Sequence, residues 1–97
     1  MAARISDKER CEKIAPLLKS LAHPQRLYIL CKLRRNEMTV SELEQCCEAS
    51  QPHISQHLTR MRLEGLVDSK RDGNFVQYRI VSEHVLALLE SFEKVFK

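Results

Sequence analysis

Apolar residues recur at helical spacing through most of the chain and give way to a strand-like pattern only between positions 66 and 80. Cys11, Ile14, Ala15, Leu18 and Leu21 form one stripe, which predicts a first helix. Ser6 and Glu9 ahead of it have capping-box spacing, where a hydroxyl and a carboxylate three residues on satisfy each other's free backbone donors. Pro24 has a preset φ and no amide hydrogen, so it suits the first turn of a second helix running through LYILCKL, nearly all of it core. Thr39 and Glu42 repeat the box and open a third helix of about two turns, with Val40, Leu43 and Cys47 as its seam. Ser50 caps a fourth helix, Pro52 is tolerated in its first turn, and Gly65 ends it in a left-handed conformation.

LVDSK and FVQYRI then alternate or carry β-branched and aromatic residues, and they flank Asp72-Gly73, a turn pair suited to a tight hairpin. Ser82 caps a last helix in which Val85, Leu88, Leu89, Phe92 and Phe96 recur at helical spacing. The order is four helices, a hairpin and a helix: mainly α, with a β-hairpin wing. Its 97 residues suffice for one domain, 1–97, with a modest core. Composition agrees, since 43% hydrophobic and 30% charged residues with two Gly and three Pro describe a chain that folds throughout.

Within that order the stretch SQPHISQHLTRMR, residues 50 to 62, carries the most chemistry. At about 100° per residue Ile54, Leu58 and Met61 fall on one side and pack the helix onto the body. His53, Ser55, Gln56, Thr59 and Arg60 fall on the other. A merely solvated face favours Glu and Lys; hydroxyls, an amide, an imidazole and a guanidinium are groups that read base edges. The short helix before it and the turn Glu48, Ala49, Ser50 complete a helix-turn-helix, whose second helix lies in the major groove. Gln56 can bond both edge groups of an adenine and Arg60 can fork onto a guanine or a phosphate, each good pair discriminating by about 1 to 3 kcal/mol. Ser50, Gln51 and the helix N-terminus suit a phosphate, and Lys70, Arg71 and Asn74 at the hairpin tip suit a neighbouring backbone or minor groove.

Charge changes this picture little. Sixteen Lys and Arg against thirteen Asp and Glu give +3, a weak lean toward polyanions. The stretch MAARISDKER lacks the apolar core of a secretory signal, and no run approaches the roughly 18 apolar residues of a membrane span, so a cytoplasmic protein is expected. There the four cysteines, Cys11, Cys31, Cys46 and Cys47, serve as reduced packing residues, sensors or ligands rather than structural disulfides. No Cys-x-x-Cys, glycine-rich phosphate loop or His/Asp/Ser constellation supports an enzyme; a thiol-redox enzyme is the remote alternative, and no cofactor is expected.

From about Ile14 to Ile80 the sequence resembles the ArsR/SmtB family of small winged-helix repressors. LLKSLAHPQRLYIL is similar to that family's entry into its second helix, TVSELEQ to the first helix of its DNA-binding pair, SQPHISQHLTRMRLEGLV to its recognition helix and KRDGNFVQYRI to its wing. LAHPQRLYILCKL and SELEQ most resemble the BigR/HlyU-like branch, which senses reactive sulfur species or oxidants through cysteines. The resemblance implies a homodimer through the first and last helices and a palindromic operator with half-sites about one helical turn apart.

It also implies where a signal could act. Family metal sensors carry a Cys-x-Cys pair where this chain has Thr39 and Ser41, and C-terminal Asp and His ligands of which only His84 remains, beside Ser82 and Val95; no metal site is expected. Cys31 matches the cysteine of the sulfur-sensing branch, but the place of its partner, after Phe96, holds Lys97. Cys31 is therefore expected as a buried packing cysteine first and a sensor second. Cys46 and Cys47 are adjacent; on a helix their side chains diverge, and Cys47 reads as packing with Cys46 the freer thiol. With Cys11, Cys31 or the partner chain they offer a soft site for arsenite. The expected inducers are thus persulfide, an oxidant or, alternatively, arsenite.

Overall fold

The computed structural model describes residues 5–97; the first four positions of the expected domain lie outside the described residues. Helix α1 (Asp7–Leu21) is followed by α2 (Pro24–Arg35), a two-residue strand β1 (Met38–Thr39), α3 (Val40–Cys46), α4 (Gln51–Leu63), strands β2 (Val67–Asp72) and β3 (Phe75–Ile80), and α5 (Glu83–Val95). The mainly α fold with a hairpin wing is as the sequence predicts. Strand β1 is the addition. Met38 and Thr39 pair with Tyr78 and Gln77, making a three-stranded antiparallel sheet in the order β1-β3-β2. Two residues carry too little alternation to announce a strand.

Thr39 has a second task as the cap of α3. Its hydroxyl accepts from the Glu42 amide at 3.1 Å and the Glu42 carboxylate accepts from the Thr39 amide at 3.0 Å, so this capping box closes completely. The box at α1 makes its hydroxyl half, Ser6 Oγ accepting from the Glu9 amide at 3.1 Å. Pro16 lies inside α1 and leaves the Glu12 carbonyl without its helical donor.

Helix α4 ends as a Schellman motif. Gly65 has φ of 78°, its amide donates to Arg62 O, and the Leu66 amide donates to Met61 O. This reversal aims the chain directly into β2. At the other end of the hairpin the register pairs Asp72 with Phe75, so the loop is Gly73-Asn74 and not the expected Asp72-Gly73. Gly73 takes φ of 63° at the first central position, as a type II′ turn requires, and Asp72 belongs to the strand.

The core gathers around α4. Ile54, Leu58 and Met61 are fully buried with Ile29 and Leu30 of α2, Leu43 of α3, Val67 of β2 and Val85 of α5. Burying each such side chain is worth about 1.5 to 3 kcal/mol, so the seam outweighs any single cap in fixing α4. Helix α2 corrects an expectation: Ile29, Leu30 and Leu33 are buried, but Tyr28 and Cys31 are exposed, so it is far from all core. A run of apolar letters cannot distinguish a helix buried all round from one with an open face. In α1, Leu21 alone of the expected stripe is buried, while Cys11, Ile14, Ala15 and Leu18 face outward; in α5, Val85 and Leu89 are buried, and Phe96 lies past the helix end, 83% exposed.

Candidate nucleic-acid interface

Helix α4 presents three kinds of surface, and the sequence reading distinguished two. Its seam faces the core. Its outer surface carries His53, Gln56, Thr59 and Arg60, all exposed, with Gln51 at its start; Ser55 is half-buried beside them. Among the described residues Gln51, Gln56, Thr59 and Arg60 have no side-chain hydrogen bond or ion pair, so their donors and acceptors are free for a ligand. Arg62, three residues beyond Thr59, extends the same face and is exposed; residues Ser55, Thr59 and Arg62 follow one helical row, a signal the sequence reading passed over.

Ser50 occupies the cap position of α4, but its hydroxyl does not bond the backbone of the first turn. It lies 3.1 Å from His53 Nδ1 instead. The expected side-chain cap is thus replaced, because the ring of His53 reaches the hydroxyl first. The first-turn amides of Gln51 and His53 keep no side-chain acceptor, and with the positive end of the helix dipole they suit an anion.

The third surface is the flank facing α1 and α2. His57 and Glu64, seven residues apart, lie one above the other there. Arg26 Nε donates to His57 Nδ1 at 3.3 Å, and His57 Nε2 meets Gln25 Oε1 at 3.1 Å. With Nδ1 accepting, the ring is neutral and Nε2 carries the hydrogen that Gln25 accepts. Arg26 also donates to Ser20 Oγ at 3.4 Å and stands 3.9 Å from Glu64, which accepts from Ser20 Oγ at 3.0 Å. The His23 ring lies 4.7 Å from that of His57. Partial burial first, then the electrostatic influence of His23, Arg26 and His53, holds His57 below its ordinary pKa of 6.5. His57, Glu64 and Arg26 escaped the sequence reading; the signal was that 57 and 64 border the seam instead of opposing it.

The wing continues from α4 through Gly65 and Leu66, and α4 packs against β2. Lys70, Arg71 and Asn74 are exposed at its tip, where Arg71 Nε is 3.5 Å from Gly73 O. Arg79, opposite Asp68 in the register, adds an exposed cation further down β3. The structure therefore brings the predicted recognition and wing residues onto one joined unit.

The cysteines divide differently from expectation. Cys31 is exposed, which overturns its reading as a buried packing residue. It lies one turn before Arg34, which pairs with Glu93 of α5. Cys11 is exposed, Cys46 half-buried and Cys47 buried at 8%, the last as expected. Cys46 ends α3 and Cys47 caps it in extended conformation, so their side chains do not diverge as inside a helix: the Sγ atoms are 3.9 Å apart. Among the described residues no group of three or more His, Cys, Asp or Glu is placed to hold a metal ion. No helix of the described residues is long and apolar enough to cross a membrane.

Comparison with known proteins agrees with this geometry. Residues 23–69 match the model of the bacterial regulatory protein arsR family. The biofilm growth-associated repressor of Agrobacterium fabrum is 37% identical over 92% of this chain and 76% of its own. The transcriptional activator HlyU of Vibrio cholerae is 39% identical over 87% of this chain and 78% of its own. Among solved structures, the repressor BigR from Xylella fastidiosa superposes with a TM-score of 0.83 at 35% identity, covering 92% of this chain and 88% of that one. A homodimeric winged helix-turn-helix DNA-binding domain from Mycobacterium bovis does so with a TM-score of 0.77 at 29% identity, covering 97% and 89%. The chain belongs to the arsR family of winged helix-turn-helix transcriptional regulators, proteins that bind DNA and are not enzymes.

Proposed function

We propose that this protein is a dimeric repressor that reads a palindromic operator with α4 and the wing of each protomer, and that a thiol-directed signal, a persulfide or an oxidant, releases it. The observation that carries the DNA half is the outer face of α4, where exposed Gln51, Gln56, Thr59 and Arg60 have no partner among the described residues. Ser50, His53 and Ser55 border that face, and Lys70, Arg71 and Asn74 supply phosphate contacts from the wing. Dimerisation has its own support: Ile14 and Leu18 of α1 and Leu86 and Val95 of α5 are apolar and exposed in the single chain. A mostly apolar cavity of about 390 Å³ lies between α1 and α5, with Ile14, Leu17, Ala87 and Leu88 among its walls. A second copy covering this side would bury what the isolated protomer leaves wet.

The signal half rests on Cys31. It is open to a reactant and lies one turn from the Arg34–Glu93 pair that joins α2 to α5, so modification there would press on the dimer contact that sets the spacing of the two recognition helices. Arsenite release through Cys46 and Cys47 with a further cysteine has less support, since no third ligand joins them among the described residues.

Titrating the reduced protein onto its own upstream DNA by fluorescence anisotropy, with and without persulfide, arsenite and zinc, tests both halves. Tight binding that weakens steeply with salt is expected, because phosphate neutralisation releases counterions. Persulfide should lower the affinity of the wild type and leave that of Cys31→Ser unchanged. Salt-insensitive binding would remove the operator reading; release that persists in Cys31→Ser would move the signal elsewhere.

A further inference from the structure

The wing carries an aromatic side chain that the core does not use. Residues 70 to 76 are exposed without a break, and β1 pairs with β3 only at Gln77 and Tyr78, so the tip of the hairpin stands clear of the third strand. Phe75 lies there, 66% exposed, directly after the Gly73-Asn74 loop and opposite Asp72. An exposed aromatic alone is ordinary; the face on which this one lies decides its meaning. Side chains alternate along β3, and Tyr78 and Ile80 pack against the core, so Phe75 falls with Gln77 and Arg79 on the opposite face. It is therefore not a core residue left unfinished. A cavity of about 230 Å³ lies between it and Val40 and Ser41 at the start of α3.

The surroundings of the ring suit a nucleic acid. Lys70 is its diagonal neighbour on the same face, Arg71 and Asn74 stand to either side of the loop glycine, and Asp72 is the one carboxylate in the sequence from 70 to 76. The tip is thus a net cation that ends in an apolar ring. It joins α4 through Gly65 and Leu66, so it is continuous with the unit that offers Gln56, Thr59 and Arg60. A duplex held by α4 in its major groove presents its minor groove to the wing, and that groove, about 6 Å wide, admits a side chain where it cannot admit a helix. A phenyl ring has no polar group to satisfy there, and apolar side chains of this kind part stacked bases.

We propose that Phe75 is a minor-groove wedge that enters a base step flanking each half-site and makes this protein select a deformable pyrimidine-purine step there. The inference rests on the operator reading proposed above and adds a position that α4 never touches. Unstacking a step costs free energy, less at a TA or CA step than at a stiff AA step, and burial of the ring against the parted bases offsets that cost. Selection then comes from deformability, because the ring has neither donor nor acceptor for a base edge. Lys70 and Arg71 hold the flanking phosphates whichever step is present.

The probes are two duplexes of the chain's own upstream site, with TA or AA at the step under each wing as located by hydroxyl-radical footprinting. The reduced wild-type chain should bind the TA duplex more tightly than the AA duplex. Phe75→Ala should bind the TA duplex about 5-fold or more weakly than wild type and should distinguish the two duplexes far less. Phe75→Leu, which keeps an apolar wedge, should retain part of the preference, whereas Arg71→Ala should lose affinity for both duplexes alike. With 2-aminopurine as the adenine of the TA step, emission should rise when the wild type binds, because the base is unstacked, and should stay flat with Phe75→Ala. The rise is read on the wild type, so that arm does not depend on whether a variant folds. Wild-type binding with a steep salt dependence but flat emission, or equal duplex preference in wild type and Phe75→Ala, would overturn the wedge and leave the operator reading standing. Salt-insensitive binding, or none, would overturn both.

Discussion

The outer and inner flanks of α4 are equally polar in composition and opposite in state. On the outer face Gln51, Gln56, Thr59 and Arg60 have no partner among the described residues, whereas on the inner flank His57 and Glu64 are bonded to Gln25, Arg26 and Ser20 from two other helices. A polar side chain with no protein partner costs nothing while water serves it, and is available when a base edge or phosphate displaces that water. One already bonded to a neighbouring element instead fixes the rotation of its helix. Under the proposed function the difference teaches how α4 would be built to read DNA: one flank holds the angle at which the other is offered. The apolar seam fixes depth, since Ile54, Leu58 and Met61 are fully buried, but a smooth stripe leaves rotation about the axis less well determined than directional bonds do.

The largest break in this comparison removes the seam beneath both flanks. Leu58→Ala deletes buried methyl groups at the centre of the core and should cost about 2 to 5 kcal/mol. Chemical denaturation should show a lower midpoint with an unchanged slope, and DNA binding should fail along with folding.

Next in size is the inner flank. The Arg26 side chain is 15% exposed and serves His57, Ser20 and Glu64 at once. Arg26→Ala leaves these groups short of a partner and should cost about 1 to 3 kcal/mol. It should also lower operator affinity and blur preference at several base pairs together, because a helix free to rotate misplaces every reading group. Loss of stability with base preference intact would show that the network holds the fold without aiming the helix.

The outer flank should behave in the opposite way. Gln56→Ala should leave the unfolding free energy within about 0.5 kcal/mol of wild type, since the amide touches nothing it would leave unsatisfied. Preference should relax at one base pair per half-site by about 1 to 3 kcal/mol. Arg71→Ala at the wing should weaken all DNA alike and flatten the salt slope by about 1. A matched titration on operator and scrambled DNA distinguishes the two, and a Gln56→Ala variant with unchanged preference would mean that α4 sits differently in the groove.

How much of this was legible in the chain follows from range. The seam, the box at Thr39 and Glu42 and the turn at Gly65 are local patterns, and periodicity or a single backbone requirement states them. The outer face was legible as the complement of the seam. The inner flank was not, because Arg26 and His57 meet across 31 positions and nothing at either end names the other. Strand β1 escaped for the same reason, since Met38 is a strand residue only because Tyr78 lies opposite. The exposure of Cys31 depends on which side of α2 faces the body, and LYILCKL is apolar on too many sides to say. The Ser50 hydroxyl turned to His53 because the ring competes with the backbone for it, a local contest that capping preferences alone do not resolve.

The smallest effect is also the most specific to the inner flank. His57 is held below its ordinary pKa of 6.5, first by burial and then by His23, Arg26 and His53. The folded state therefore disfavours the proton that the unfolded chain accepts at 6.5, and the sign follows. The contribution of His57 is fully present above pH 6.5, falls as pH drops from 6.5 through the folded-state pKa, and levels off below it. Protonation also removes the Nδ1 lone pair that accepts from Arg26, so the angle of α4 should loosen in the same window. His57→Gln keeps an acceptor and a donor without the titration. Between pH 7 and 5, wild-type stability and base preference should decline more steeply than those of His57→Gln, with stability read by denaturation at each pH and preference by anisotropy on paired DNA sequences. Parallel pH profiles for the two proteins would mean that His57 is held by packing alone and that its bond to Arg26 does not help to aim the helix.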